Sequence, residues 1–311
     1  MAINNWMIYG AYGYSAQLIA ELARDRNLRP VLAGRDAGKT RAVADRFGFE
    51  ARVFDLDNPD RIADALADID AVVHCAGPFS ATSAPMLSAC LAARAHYFDI
   101  TGEMRVFEHA HSNEVNAAAE SAGVVVCPGV GFDVVPTDCI AMTLAEALPD
   151  AIELSLGFQG DTKVSPVTAK TMVEGLGYGT WARRDGKLVA IPLDVREIDY
   201  GAGSRQSMSI TWGDISTAFH PTGIGNITVY WPASDNLLRK VKRADYIRPL
   251  LKLGIVQNFL KKQIDKKVRG PSETKRNERD VLVWGEVKNA AGDTVTARMS
   301  TPNGYTVTQL A

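Results

Sequence analysis

The sequence is poor in cysteine and has no long apolar run, and both absences narrow the class of protein. Its four cysteines among 311 residues form no Cys-x-x-Cys pair, so we expect reduced thiols rather than a disulfide framework or a zinc site. The most apolar stretch, residues 123–148, is interrupted by Asp133 and Asp138, and no run reaches the roughly 18 apolar residues of a transmembrane helix. The first residues lack the basic start of a signal peptide, which favours a cytoplasmic location.

A large excess of charge of one sign is also missing. The formal net charge is −2, and basic residues are not interleaved with aromatic ones, so we do not expect a nucleic-acid partner. The balance is uneven, however, because residues 239–280 contain 14 Lys/Arg and 5 Asp/Glu. Within this stretch, residues 246–268 mix apolar residues and lysines at helical spacing. The favoured interpretation is a surface or dimer-contact helix, which leaves a homodimer open, and the alternative is a helix on an anionic membrane surface.

Several catalytic signatures are absent. No tyrosine is followed by lysine four residues later, which argues against short-chain dehydrogenase chemistry, and there is no serine nucleophile elbow. His109 and His111 are two residues apart on a predicted helix and therefore point to different faces. We expect no metal site.

The first half of the chain alternates short apolar runs with helical patterns, which is typical of βαβ units. Six strands joined by five crossovers are predicted, the last two crossover helices lying near residues 83–94 and 105–122. This pattern predicts an α/β fold with a Rossmann doubly wound parallel sheet. In such sheets ligands bind beyond the carboxyl ends of the strands, where strand order reverses.

The loop after the first strand is rich in glycine and small residues. It contains Gly10, Ala11, Tyr12, Gly13, Tyr14 and Ser15. Glycine allows a tight turn and close approach of the backbone to a pyrophosphate, while the N–H groups and dipole of the following helix favour its negative charge. Between a strand and a helix near the N-terminus, this loop predicts a dinucleotide site.

Arg35 follows the second strand, in the region where an acidic residue would bind the ribose of NAD. Its guanidinium suits a 2′-phosphate and is accompanied by Lys39, so we predict NADP rather than NAD. Asp36 is interpreted as the N-cap of the following helix, with a ribose contact as the alternative. Asp55, after the third strand, is predicted to meet the adenine or to start a helix.

The loops after the fourth and fifth strands complete the predicted site. Cys75, Ala76, Gly77 and Pro78 form a small turn against which a dinucleotide can lie, and Cys75 has no cationic neighbour that would make it a nucleophile. Asp99, Thr101 and Glu103 follow, and Asp99 is a candidate for acid or base chemistry. For Glu103 the simpler interpretation is a contact with a helix N-terminus.

These motifs together resemble the saccharopine dehydrogenase-like family of NADP-binding oxidoreductases, whose neighbours include trans-acting enoyl reductases. The resemblance is dense over residues 1–140 and rests on five segments beyond the glycine loop. They are Leu32-Ala-Gly-Arg35, Val53-Phe-Asp-Leu-Asp57, Cys75-Ala-Gly-Pro-Phe79, Tyr97-Phe-Asp-Ile-Thr-Gly-Glu103 and Pro128-Gly-Val-Gly-Phe-Asp133. Tyr12 and Ser15 replace threonines usual in the family. Relatives usually continue beyond the position of Ala311, so the resemblance implies that a closing C-terminal element is missing or replaced.

From about residue 150 the sequence changes character. Short β-branched or alternating segments predict an α+β domain on a mostly antiparallel sheet, with a helix over 166–182. We therefore predict an NADP-binding domain over 1–130 and a substrate or dimerisation domain over 131–311. Asp133, in a glycine-rich loop at this junction, is the candidate for touching substrate, and its alternative is a turn-forming role. Lys170 is a further candidate proton donor.

The sequence thus predicts an NADP(H)-dependent oxidoreductase that transfers a hydride to or from a small organic substrate. By resemblance, an enoyl or carbonyl compound is the first candidate. The alternative is a non-enzymatic NADP-binding scaffold or redox sensor.

Overall fold

A computed structural model describes residues 3–160, 179–246, 253–267 and 280–311. The chain divides into two compact units, one formed by Met1–Phe132 with Tyr305–Ala311 and the other by Asp133–Gly304. The first unit thus ends two residues after the predicted boundary and also contains the last residues of the chain. Within the described ranges, no helix is both long and apolar enough to cross a bilayer.

The first unit is a six-stranded parallel sheet in the order β3-β2-β1-β4-β5-β6, which confirms the predicted Rossmann fold class. Its strands are β1 Trp6–Tyr9, β2 Val31–Gly34, β3 Ala51–Val53, β4 Ala71–His74, β5 His96–Asp99 and β6 Val126–Cys127. Its helices are α1 Tyr14–Asp25, α2 Ala37–Phe47, α3 Pro59–Leu66, α4 Phe79–Ala93, α5 Met104–Ala110 and α6 Asn113–Ala122.

Both faces of this sheet are buried, as a parallel sheet between helices requires. Successive residues of β1 alternate between the two sides: Met7 and Tyr9 belong to one apolar cluster, and Ile8 belongs to the other. Side-chain caps begin three of the helices, since Asp36, Asn58 and Ser112 each accept a backbone hydrogen bond from the first turn that follows. Two of these caps, Asp36 and Asn58, begin the helices that follow β2 and β3.

The second unit is built on a mixed sheet in the order β10-β11-β12-β7-β13-β14, with β8 paired to β12 and β9. Among the described strands of this sheet, β7 and β12 pair in parallel and the other neighbours pair antiparallel, in line with the predicted α+β character. The strands are β7 Ala151–Gln159, β8 Thr180–Arg184, β9 Lys187–Ile191, β10 Val195–Asp199, β11 Ser204–Ile210, β12 Asn226–Pro232, β13 Val281–Asn289 and β14 Thr294–Thr301.

The described helices of this unit are α7 Val135–Ala147, α8 Asp214–Thr217, α9 Phe219–Thr222, α10 Asp235–Tyr246 and α11 Gly254–Lys267. Helix α7 packs on the sheet so closely that a Cβ at Gly285 would collide with Ile140 and Leu144. Glycine is therefore required at this position of β13 by packing, and not by its backbone angles.

The last helix, α12 Gly304–Leu310, returns to the first unit. Thr308 accepts a 3.0 Å hydrogen bond at Oγ1 from the Phe132 N–H, and Gln309 donates one of 2.9 Å to the Leu18 carbonyl. The ring of Tyr305 lies edge-on to Tyr14, with centroids 4.9 Å apart. The end of the chain is thus tied to the helix that follows the glycine loop.

Two predicted elements are corrected. The single helix expected over 105–122 is two helices, because Ser112 interrupts it and caps α6 through the Val115 N–H. The helix expected over 166–182 is wrong at its end, where Thr180–Arg184 is the strand β8; residues 161–178 lie outside the described ranges. The basic segment predicted over 246–268 includes helix α11.

Candidate functional site

The glycine loop forms a tight bend at the carboxyl end of β1. Gly10 has φ +88°, a left-handed conformation that favours glycine. The N–H groups of Gly10 and Ala11 both donate to the Ala33 carbonyl, at 2.8 and 3.0 Å, and the Gly13 N–H donates to the Gly10 carbonyl at 2.8 Å. These bonds fix the bend before α1 begins at Tyr14.

The N-cap position of α1 is a glycine. No side chain caps the helix at Gly13, and its first turn carries no acidic residue. The first N–H groups of a helix carry partial positive charge and attract phosphate. The bend therefore presents a helix terminus suited to a diphosphate.

The loop after β4 lies directly against this bend. A Cβ on Gly10 would lie 2.8 Å from the Ala76 nitrogen, so only glycine allows the two loops to meet. Cys75 is buried, and burial raises the pKa of its thiol. The structure thus brings together the predicted residues Gly10–Ser15 and Cys75–Pro78, with a cis peptide bond joining Gly77 to Pro78.

Arg35 and Lys39 lie in different electrostatic settings. Lys39 Nζ lies 3.5 Å from Asp36 Oδ2 and 5.5 Å from the centre of the Tyr12 ring. Asp36 caps α2 through the Lys39 N–H, and this bond lowers the pKa of its carboxyl. Arg35 is exposed, and within the described ranges no acidic group pairs with it. Of the two cations, Arg35 is the one left to meet an external anion.

Gly34 makes room for the loop of β1 beneath Arg35. A Cβ there would lie 2.9 Å from Thr40 Oγ1 and 3.0 Å from the Tyr12 ring. The Thr40 hydroxyl is buried without a hydrogen-bond partner in the described part of the chain. Asp55, beyond β3, accepts a 3.3 Å hydrogen bond from the Asp57 N–H.

Asp99 ties two strand ends together. It is fully buried, and its carboxylate accepts hydrogen bonds from the Tyr97 hydroxyl at 2.7 Å, the Thr101 N–H at 3.0 Å and the Gly129 N–H at 2.8 Å. Burial raises the pKa of Asp99, while these three donors favour its charged form. The Thr101 hydroxyl in turn accepts the Glu103 N–H at 3.0 Å.

Glu103 occupies the N-terminus of α4. Its two carboxylate oxygens accept the N–H groups of Phe79 and Ser80, each at 2.8 Å. The sequence suggested that Glu103 contacts a helix N-terminus. It did not identify α4, which lies earlier in the chain, as that helix. At α1, by contrast, the N-cap residue Gly13 has no side chain that could cap the helix.

In the second unit, burial raises the pKa of three carboxyl groups: Asp133 in the loop after β6, Asp138 in α7 and Asp214 in α8. Asp133 is half-buried, burial raises the pKa of its carboxyl to about 6, and its own carbonyl accepts the Trp212 indole N–H at 2.6 Å. Asp138 accepts the Thr217 hydroxyl at 2.9 Å, and burial raises its pKa to about 7.

Asp214 is the member of this group that sequence reasoning did not single out. Its side chain is 0% exposed, and neither carboxylate oxygen has a hydrogen-bond partner among the described residues. Burial, and next the charge of Asp138, raise the pKa of Asp214 well above its usual value. Burial thus favours the protonated form of each of these carboxyl groups. The described residues contain no group of three or more His, Cys, Asp or Glu placed to hold a metal ion. Lys170 lies outside the described ranges.

Comparisons with known proteins agree with the resemblance in the motifs. Residues 6–127 match the family described as saccharopine dehydrogenase NADP binding domain. A trans-acting enoyl reductase of Mycobacterium ulcerans is 30% identical over 139 residues, which are 42% of this chain and 33% of that protein. The match thus spans about a third of the relative's length.

Solved structures share the fold at low sequence identity. Saccharopine dehydrogenase (L-Glu forming) from Saccharomyces cerevisiae has a TM-score of 0.61 at 12% identity, over 98% of this chain and 88% of that one. An amine dehydrogenase from Mycobacterium smegmatis has a TM-score of 0.55 at 12% identity, over 100% and 90%.

Proposed function

Since residues 6–127 match the family described as saccharopine dehydrogenase NADP binding domain, we propose that the protein is an NADP(H)-dependent oxidoreductase. The observation that carries this proposal is the glycine bend between β1 and α1, with Gly10 at positive φ and Gly13 at the N-cap of the helix. When bound, the nicotinamide cofactor supplies or accepts a hydride.

The residues of the first unit fit this cofactor. The missing Cβ of Gly10 lets the loop after β4 pack against the bend, and the N–H groups that start α1 would hold the pyrophosphate. Arg35, exposed and unpaired among the described residues, would bind the 2′-phosphate that distinguishes NADP from NAD. Cys75–Pro78 and Thr101 would line the same edge of the sheet with backbone and small side chains.

For the proton that accompanies hydride transfer we propose Asp133. Its carboxyl is half-buried, no described side chain bonds to it, and its pKa near 6 allows it to take or give a proton near neutral pH. Asp99 already accepts three hydrogen bonds, so its predicted acid or base role competes with a positioning role. Lys170 stays a prediction from the sequence.

An enoyl or carbonyl compound is the substrate class we propose first. It is supported by the name of the enoyl reductase relative, and the low number of fixed cations in the described site argues against a substrate with several carboxylates.

Two measurements on the purified chain test this function. Calorimetric titration with NADPH and NADH reports binding, and the loss of NADPH absorbance against a panel of enoyl and carbonyl compounds reports turnover. We expect micromolar or tighter NADPH binding and turnover of at least one class. Binding of neither coenzyme would overturn the proposal, and tight binding without turnover on either class would favour the scaffold or sensor.

Asp133→Asn then tests the proton role, with Asp235→Asn on an exposed helix start as its control. We expect kcat to fall about 100-fold only in Asp133→Asn, since a positioned acid or base contributes about that factor. The pH profile of kcat/KM should lose its inflection near pH 6 in the same variant. An unchanged inflection would assign the proton to another group.

A further inference from the structure

Basic charge is concentrated in one part of the second unit. Between Arg239 and Lys267 the sequence has ten Lys/Arg and two Asp, a charge of +8 in a chain whose total is −2. The stretch includes the described helices α10 and α11. A local field of this sign attracts anionic partners.

One side of helix α10 packs on the second unit, and its basic residues are exposed. Leu237, Leu238 and Val241 pack in an apolar cluster with Met208 of β11. Its exposed basic residues are Arg239, Lys240, Lys242 and Arg243. Within the described part of the chain none of them forms an ion pair, so no described acidic group neutralises their charge.

Helix α11 has an apolar side that the protein covers only in part. Val256, Leu260 and Ile264, four residues apart and hence on one face, are half-buried. Among the side chains of α11 that the structure describes, none is buried. Phe259 is 60% exposed, and Leu253, just before the helix, is 52% exposed.

Lysine lies beside this exposed phenylalanine. Lys262 is exposed three residues after Phe259, and neighbours at this spacing lie together on a helix surface. An exposed aromatic side chain with an exposed lysine one turn away matches the boundary between lipid headgroups and acyl chains.

We propose that α10 and α11 bind the surface of an anionic lipid bilayer, with Phe259 and Leu253 entering the acyl boundary and the basic side chains contacting headgroups. Helix α11 has 14 residues and is therefore about 21 Å long, short of the roughly 30 Å hydrocarbon core. It lies in the plane of the interface, as amphipathic helices rich in lysine do. This inference is independent of the proposed redox function.

Vesicle sedimentation tests the surface. The full chain is mixed with vesicles of phosphatidylcholine alone, or of phosphatidylcholine and phosphatidylglycerol at about 3:1. We expect co-sedimentation with the anionic vesicles, weak binding to the neutral ones, and loss of binding as salt rises, because screening shortens the reach of the charges.

Single substitutions separate the apolar and the charged contributions. Phe259→Ser should weaken partitioning about tenfold, as expected for withdrawal of a large apolar side chain from lipid, whereas Leu28→Ser, which changes a 47% exposed leucine of the first unit, should not. Lys262→Gln should weaken it about fivefold, since one basic residue near an anionic surface contributes about 1 kcal/mol, whereas Lys187→Gln on exposed β9 should not.

Thermal unfolding of each variant shows whether the fold is kept. The proposal is overturned if folded wild-type protein stays in the supernatant with anionic vesicles, or if Phe259→Ser and Lys262→Gln bind them as well as their controls do. Equal retention on neutral and anionic vesicles, or preferential retention on single-stranded RNA over anionic vesicles, would overturn it as well.

Discussion

The hydroxyl of Tyr97 donates a 2.7 Å hydrogen bond to the carboxylate of Asp99, two residues further along β5. Both side chains are buried. Residues two apart on a strand share a face, so the pair is local in sequence. The same carboxylate reaches the Gly129 N–H, which joins the end of β5 to the loop that leads out of the first unit.

Asp99→Ala tests how strongly this network holds the fold. We expect the free energy of unfolding to fall by about 2 to 4 kcal/mol, because three buried donors lose a charged acceptor. Urea unfolding measures the change, and Asp45→Ala on the exposed side of α2 is the control. A loss as small as the control's would mean that the donors find other partners.

Gly10→Ala tests the bend itself, and Gly48→Ala is its matched control. Both glycines have positive φ, +88° and +73°, which costs a non-glycine residue about 1 kcal/mol. Only at Gly10 would the new Cβ also meet backbone, at 2.8 Å from the Ala76 nitrogen, and overpacking adds about 1 to 3 kcal/mol.

We therefore expect Gly10→Ala to lower stability more than Gly48→Ala and to abolish NADPH binding, as measured by urea unfolding and calorimetry. Full NADPH affinity in a folded Gly10→Ala variant would contradict the assignment of the pyrophosphate to this bend.

Arg35→Ala tests coenzyme choice. Loss of a charge-assisted contact with the 2′-phosphate costs about 1.5 to 3 kcal/mol, so the Kd for NADPH should rise about 10- to 100-fold while that for NADH changes little. Arg41→Ala, also exposed on the surface of α2, should alter neither. Equal losses for both coenzymes would show that Arg35 does not contact the phosphate.

Asp138→Asn tests the buried carboxyl groups of the second unit through pH. Burial raises the folded-state pKa of Asp138 to about 7, above its unfolded value, so its protonated form is favoured by folding. The resulting stability is present in full below the unfolded pKa and is lost as pH rises through the folded one.

Between about pH 4 and pH 7 the contribution of Asp138 to the free energy of unfolding should therefore fall, with a slope of at most about 1.4 kcal/mol per pH unit for one proton. Urea unfolding across this window should show a smaller slope in Asp138→Asn and an unchanged one in Asp235→Asn. A slope that is the same in Asp138→Asn would place the titration elsewhere.

The fold of the first unit was largely predictable because its signals are local. Apolar strands, caps such as Asp36 and the glycine bend are each encoded within a few residues, and right-handed crossovers then restrict the topology. The contact of Glu103 with the α4 terminus was not predictable in this way, since its partners lie in a different segment and meet it only after the sheet has formed.

The strand β8 was missed although a signal was present. Asp185 and Gly186 have φ of +48° and +74° and connect the paired residues Arg184 and Lys187. Positive φ at both central residues defines the hairpin turn for which Asp-Gly is a strong marker. The prediction of a helix over 166–182 treated Asp185-Gly186 as the end of that helix. Asp214 was missed for another reason. Its interest lies in being buried without a hydrogen-bond partner among the described residues, and a single sequence does not reveal burial.

The return of the chain to the first unit has a consequence for engineering. Phe132 and Tyr305 flank the second unit, and the hydrogen bond between the Phe132 N–H and Thr308 holds these two chain segments side by side. The second unit is thus an insertion between two segments of the first unit. A few glycine and serine residues joining position 132 to position 305 would bridge that gap and yield a miniature coenzyme-binding scaffold with its final helix still attached.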